Sequence, residues 1–126
     1  MRIAAVVIVA ATLASPAARA DVRHPTVPAS LWGSWSASAE SCGAGGKSVI
    51  VLAEKSYDSA EGKCAVDWVN ETAGARGSIF SARVRCAGQS PQQAVNVIIR
   101  PDSAQQISVG LNFSSLKTYQ KCPAKP

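Results

Sequence analysis

The sequence predicts an all-β domain: a small antiparallel β-barrel, or a strongly curled sheet, of about seven to eight strands held by two disulfides. Three observations predict it. Short apolar runs recur at even spacing, separated by turn-forming residues. No stretch of useful length repeats its apolar residues at the spacing of an amphipathic helix. Four cysteines, an even number, lie in a short chain behind an apolar N-terminal run.

Residues 1–20 read as a signal peptide. Arg2 supplies a positive start, and Ile3 to Leu13 form an eleven-residue apolar run. Ser15-Pro16 breaks that run, and Ala18-Arg19-Ala20 offers a small-x-small cleavage site. Eleven residues are about half of the roughly 20 that span a bilayer, and no cysteine follows to take a lipid. The expected product is a bacterial periplasmic or secreted protein that starts at Asp21 and has no transmembrane segment. The 126-residue chain less its first 20 residues leaves 106, enough for one domain. Without Arg2 and Arg19 the 13 basic residues become 11 against 8 acids, so the net charge falls from +5 to +3. The basic residues are scattered and lack the clustering and interleaved aromatics of a nucleic-acid surface, so no nucleic-acid partner is expected.

Residues 21–30 hold Pro25, Pro28 and the lone His24 without periodicity, and read as an extended leader into a single barrel domain over residues 31–126. Leu31-Trp32-Gly33-Ser34-Trp35 is the opening strand. With a period of two, Leu31, Gly33, Trp35 and Ala37 share one face, so Trp35 points inward and Trp32 outward. Gly33 leaves room for a close neighbour. Ser41 to Gly46 is a loop, and Lys47 to Glu54 is a β-branched strand apolar on both faces. Lys55 to Gly62 is a polar stretch around Tyr57, with a short strand and a turn.

The clearest signal follows. Cys64, Val66, Trp68 and Asn70 alternate with Ala65, Asp67, Val69 and Glu71, and Phe80, Ala82, Val84 and Cys86 alternate with Ile79, Ser81, Arg83 and Arg85. A hairpin centred on Ala75 sets Cys64 against Cys86, Val66 against Val84, Trp68 against Ala82 and, on the other face, Asp67 against Arg83. A second hairpin, with its turn centred on Ser103 within Pro101-Asp102-Ser103-Ala104, sets Val95, Val97 and Ile99 against Ile107, Val109 and Leu111. Leu116 to Cys122 closes the sheet, with Tyr119 as its large residue and Lys117 and Lys121 on the same parity. The expected core contains Gly33, Trp35, Trp68, Phe80, Phe113 and Tyr119, and a barrel of this strand number is about filled by its own side chains.

The first hairpin favours a Cys64–Cys86 disulfide, leaving Cys42–Cys122 by elimination. The pairing of Cys42 with Cys64 and of Cys86 with Cys122 also stays open. The cysteines stand 22, 22 and 36 residues apart with no C-x-x-C pair, which argues against structural zinc. No metal or cofactor is expected.

Sites for chemistry are few. Gly46-Lys47-Ser48 resembles the end of a P-loop, but Ser41 stands where the motif needs glycine and a strand follows. A Ser–His or Cys–His mechanism would have to use His24, read as a solvated tail residue, and no carboxylate pair marks a glycosidase-type cleft. The chain is therefore expected not to be an enzyme. Asn70-Glu71-Thr72 and Asn112-Phe113-Ser114 match the glycosylation pattern and are read as structural. Candidate partner contacts are His24, Trp32, Arg76, Arg83 and Arg85, the three arginines offering a patch for acidic groups.

Gly33-Ser34-Trp35 on an opening strand resembles the G-x-W signature of lipocalins and avidin-like barrels. That resemblance implies a tryptophan closing one barrel end beneath a basic residue of the last strand, here Lys117 or Lys121. In size the chain is similar to the periplasmic inhibitors of serralysin-type metalloproteases, which implies a leader, Asp21 to Thr26 here, that enters a protease cleft. Those inhibitors carry one disulfide, whereas this chain has four cysteines. The pattern ending in Tyr119-Gln120-Lys121-Cys122 also resembles uncharacterised exported proteins of α-proteobacteria. The resulting expectation is a monomeric, non-catalytic binding module that recognises another protein in the periplasm or outside the cell. A leader-borne protease inhibitor and a small-molecule carrier are the alternatives.

Overall fold

A computed structural model describes residue 8 and residues 21–38, 41–42, 49–60, 62–88 and 93–123. The expected signal peptide (residue 8 apart) and the Gly46-Lys47-Ser48 motif lie outside the described residues. Among the described residues nine strands form one antiparallel sheet: β1 Val22–His24, β2 Gly33–Ser36, β3 Val49–Ala53, β4 Ser56–Ser59, β5 Gly62–Gly74, β6 Gly77–Cys86, β7 Ala94–Ser103, β8 Gln106–Gly110 and β9 Lys117–Lys121. Neighbours in the chain pair from β2 to β9, and β9 pairs back onto β2, which closes an eight-stranded barrel. β1 stands outside that ring. It pairs with Val69–Glu71 of β5, on the stretch beyond Gly62–Ala65, where β4 is bound.

The expected leader is thus partly a strand. Arg23 Nε donates to Asn70 Oδ1 at 3.1 Å, Thr72 Oγ1 donates to Asp21 Oδ1 at 3.1 Å, and His24 Nε2 lies 2.8 Å from Glu71 Oε1. Past it, a 3-10 turn over Ala29–Leu31 packs Val27 and Leu31 into the core beside Trp35. Val27 N–H donates to Glu54 O at 2.8 Å, which ties this segment to the β3–β4 turn. One end of the barrel is closed in this way. Among the described residues the longest helical pieces are 3-10 turns, and no helix is long and apolar enough to cross a membrane.

Trp35 is 1% exposed, and its Nε1–H donates to Leu31 O at 3.0 Å. Lys121 Nζ lies 5.5 Å from the centroid of its ring, so Lys121 and not Lys117 takes the position over the tryptophan. Gly33 has a φ of +127°, which L side chains rarely adopt. A Cβ there would meet Lys121 Cε at an ordinary 3.6 Å, so backbone conformation, more than crowding, requires glycine. Leu52, Val69, Val84, Ile99 and Ile107 complete the deepest layer.

The β5–β6 register runs as expected for Cys64↔Cys86 and Val66↔Val84, then shifts by one at a bulge between Val66 and Trp68. Beyond it Val69, not Trp68, enters the core, and Trp68 faces outward opposite Arg83. A bulge carries one extra residue, which exchanges the two faces of everything after it. Two expectations fall with it. Trp68 is not a core residue: the Arg23 guanidinium lies 4.6 Å and that of Arg83 6.0 Å from its ring centroid. Asp67 pairs with Arg85, Nε to Oδ2 at 2.9 Å, in an ion pair without hydrogen-bond alignment, while Arg83 Nη1 reaches Asn96 Oδ1 at 3.4 Å.

The β7–β8 hairpin is also displaced. Ile99 faces Val109 and Pro101 faces Ile107, so the turn falls at Ala104-Gln105 and Pro101 lies within β7. The shift is two residues, so every side chain keeps its expected face. Proline has no N–H to give the ladder, and the pairing of β7 with β6 ends at Ile99, before Pro101. Phe113, expected inside, sits in a 3-10 turn over Phe113–Ser115 and is 63% exposed.

Both disulfides of the favoured pairing are present: Cys64–Cys86 and Cys42–Cys122. Ala87 N–H donates to Lys63 O at 3.0 Å, which makes Cys64 and Cys86 a non-hydrogen-bonded pair.

Candidate functional site

The candidate site lies among the described residues at the end of the barrel opposite the Ala29–Leu31 turn. There the described residues from β3 to β9 line a half-open hollow of about 370 Å³, with Val95, Val97, Val109, Leu111, Tyr57 and Tyr119 among them. Its floor is the buried layer of Ile50, Cys64, Val84 and Val97, and it opens between the exposed Val95, Leu111 and Lys117. The two tyrosines are partly buried and pack against the core.

The barrel interior is packed by Trp35, Leu52, Val69, Val84, Ile99 and Ile107, and the hollow lies at its mouth. Of the large aromatic side chains expected inside, Trp68 and Phe113 point out. Phe80 (6% exposed) and Trp35 occupy the barrel, and Tyr119 packs on the core from a half-buried position.

β9 sets the electrostatics of the mouth. Lys117, Tyr119 and Lys121 share its inner parity. Lys121 is engaged by Trp35 at the closed side, whereas Lys117 is exposed at the mouth with its Nζ 5.9 Å from the Tyr119 ring centroid. Among the described residues lining the cavity, Lys117 is the charged side chain and no carboxylate occurs.

The five expected contact residues do not gather into one patch. Trp32 is 40% exposed, with its Nε1–H donating to Val27 O at 2.7 Å. Arg83 and Arg85 lie on the outer face of β6, each engaged as described. Arg76 is in the β5–β6 turn, where it borders a second, outer hollow of about 220 Å³ shared with Arg100 and Phe113. His24 is not a solvated tail residue. It pairs with Glu71 and lies 6.5 Å from the Phe80 ring, and the two side chains are 33% and 31% exposed. Asn70 and Asn112 both have structural partners: Arg23 for the former, and the Ser114 backbone N–H and hydroxyl for the latter.

Glu71 also accepts a hydrogen bond from Ser78 Oγ. The Ser78 bond first, and then that of His24, hold the Glu71 carboxyl below its ordinary pKa of 4.5, against the opposing effect of burial. A carboxylate with a lowered folded-state pKa contributes stability that is full above its unfolded value and is lost as pH falls through the folded value. Acidifying from about pH 6 to about pH 3 is therefore expected to lower the urea midpoint of the native chain more than that of Glu71→Gln. Equal losses in both would remove Glu71 as the cause.

Sequence reasoning missed Tyr57, Val95, Val97 and Leu111 as cavity residues and Arg23 as the partner of Trp68. Parity on β9 could have identified Lys117, because it repeats the inward phase of Tyr119. The cavity itself had no sequence signal. No protein family, curated protein or solved structure matches the chain.

Proposed function

We propose that the chain is an exported, non-catalytic binding module whose ligand is a small, largely apolar molecule held in the barrel mouth. The observation that carries this reading is the cavity of about 370 Å³ with apolar walls and an exposed entrance. Small-molecule sites run from roughly 300 to 1,000 Å³, so the volume suits a compact ligand. Export is supported by two disulfides in a small domain, which form and persist in oxidising compartments, and residues 1–20 are read accordingly as the signal peptide.

This reverses the order expected from the sequence, in which protein recognition came first. Inhibition through a leader needs a free extended segment, and Val22–His24 are paired into the sheet. The carrier reading is supported by the hollow at the barrel mouth.

Titration with the neutral fluorophore N-phenylnaphthylamine tests the proposal. The native chain is expected to raise the dye's fluorescence saturably. Val95→Trp, which puts a large ring at the entrance from a half-exposed position, is expected to weaken binding by about tenfold or more. No saturable signal, or one that Val95→Trp leaves unchanged, would overturn the reading.

A further inference from the structure

We infer that the ligand of the barrel mouth is an anionic amphiphile: an apolar chain or ring system seated between Val97 and Val109, with a carboxylate or comparable monoanionic head group received by Lys117. The inference rests on the cavity reading above and deepens it. Three independent features of the site lead to it.

The first is the sign of the charge. The described lining contains the Lys117 ammonium and no carboxylate, so among the described residues a negative head group meets one attraction. A cationic head group would meet the reverse.

The second is availability. The ion pairs among the described residues are His24–Glu71, Asp67–Arg85 and Arg100–Asp102, and Lys117 belongs to none of them. Its neighbour is the Tyr119 ring at 5.9 Å, a weak attraction at an exposed site that leaves all three N–H donors for other partners. Lys121, the other inward lysine of β9, is taken up over Trp35 at the closed side.

The third is geometry. Lys117 is the first residue of β9 and faces Val109 of β8, a cavity wall residue. Its flexible stem starts at the level of the apolar walls and ends in solvent at the rim. A ligand inserted chain-first therefore meets apolar walls along its length and the ammonium at its exit. Apolar walls lower the local dielectric constant, which makes a single ammonium more effective at this entrance than on an open surface.

Matched probes separate this inference from the reading beneath it. Decanoate and decanol carry the same apolar chain and differ in the charge of the head group. Each is titrated as a competitor of bound N-phenylnaphthylamine, at neutral pH and low salt. Decanoate is expected to compete about tenfold or more better than decanol, as a charge-assisted contact requires. The advantage is expected to shrink as salt is added. In Lys117→Gln the decanoate-to-decanol ratio is expected to fall to about one, and in Lys117→Glu below one. Lys63→Gln removes an exposed lysine of β5 outside the cavity lining, and is expected to leave the ratio as it is.

A native ratio near one, or a ratio that Lys63→Gln lowers as much as Lys117→Gln does, would overturn the inference while leaving the apolar site intact. Failure of the dye itself to bind would overturn both. Lys117 is exposed, so these variants are not expected to impair folding, and the circular dichroism of each checks it.

Discussion

Replacing Cys42 and Cys122 together by serine is expected to cost the domain about 4.5 kcal/mol of stability. The link joins residues 80 apart, against 22 for Cys64–Cys86, and loop-closure entropy grows with that separation. The corresponding figure for Cys64–Cys86 is about 3.4 kcal/mol. Location adds to the difference. Cys64 and Cys86 are clasped within a hairpin whose register extends on to Gly74 and Gly77. Cys42–Cys122 sits at the seam where β2 meets β9, a contact of two register pairs, Trp35↔Lys121 and Ser36↔Gln120, supported by Cys122 N–H donating to Ser34 O at 2.8 Å. Set against the roughly 5–15 kcal/mol typical of a domain, the seam variant is left close to its unfolding limit. Urea unfolding followed by tryptophan fluorescence gives the comparison. A Cys64→Ser, Cys86→Ser double variant less stable than the seam variant would contradict this assignment.

The second large effect separates two tryptophans that look alike in the sequence. Trp35→Ala is expected to cost about 3–5 kcal/mol, as truncation of a buried aromatic side chain does. It empties a site that is 1% exposed, leaves Leu31 O without its 3.0 Å donor and removes the ring beneath Lys121. Trp35→Phe keeps most of the apolar contact but not the donor, and is expected to fall between. Trp68→Ala is expected to cost under about 1 kcal/mol, because that ring lies outside the barrel and its main partners are the Arg23 and Arg83 guanidinium groups. Equal losses in the two alanine variants, measured by the same unfolding assay, would place Trp68 in the core after all.

The contrast also marks how far the sequence can be read. Alternation identifies the hairpins and the favoured disulfide pairing, because side-chain period two and cysteine placement are local properties, but it misses β1 in the expected leader. It assigns the faces of β7 and β8 correctly despite a misplaced turn, since a displacement of two residues preserves parity. It does not reveal the bulge beside Asp67. Trp68 and Val69 are adjacent apolar residues, and nothing between Val66 and Trp68 marks an insertion in the way that glycine or proline does. Size alone favours Trp68 for the inward position. In the fold Val69 takes the interior, at 0% exposure, and the indole finds two guanidinium groups outside. The candidate site is less legible for a related reason. A cavity is a deficit of side-chain volume summed over many strands, and exchanging Trp68 for Val69 and releasing Phe113 changes that sum without disturbing any local pattern.

β5 has a further consequence for how the molecule behaves among its own copies. Along this strand β6 binds one edge, while β4 and then β1 share the other. With Val22–His24 in place, the backbone groups of Val69–Glu71 are occupied on both sides. A vacant strand edge of that kind is a template on which a second chain can lay a strand of its own. Three residues at the start of the described domain thereby act against self-association, and the acid conditions that protonate Glu71 also weaken the contact that keeps them seated.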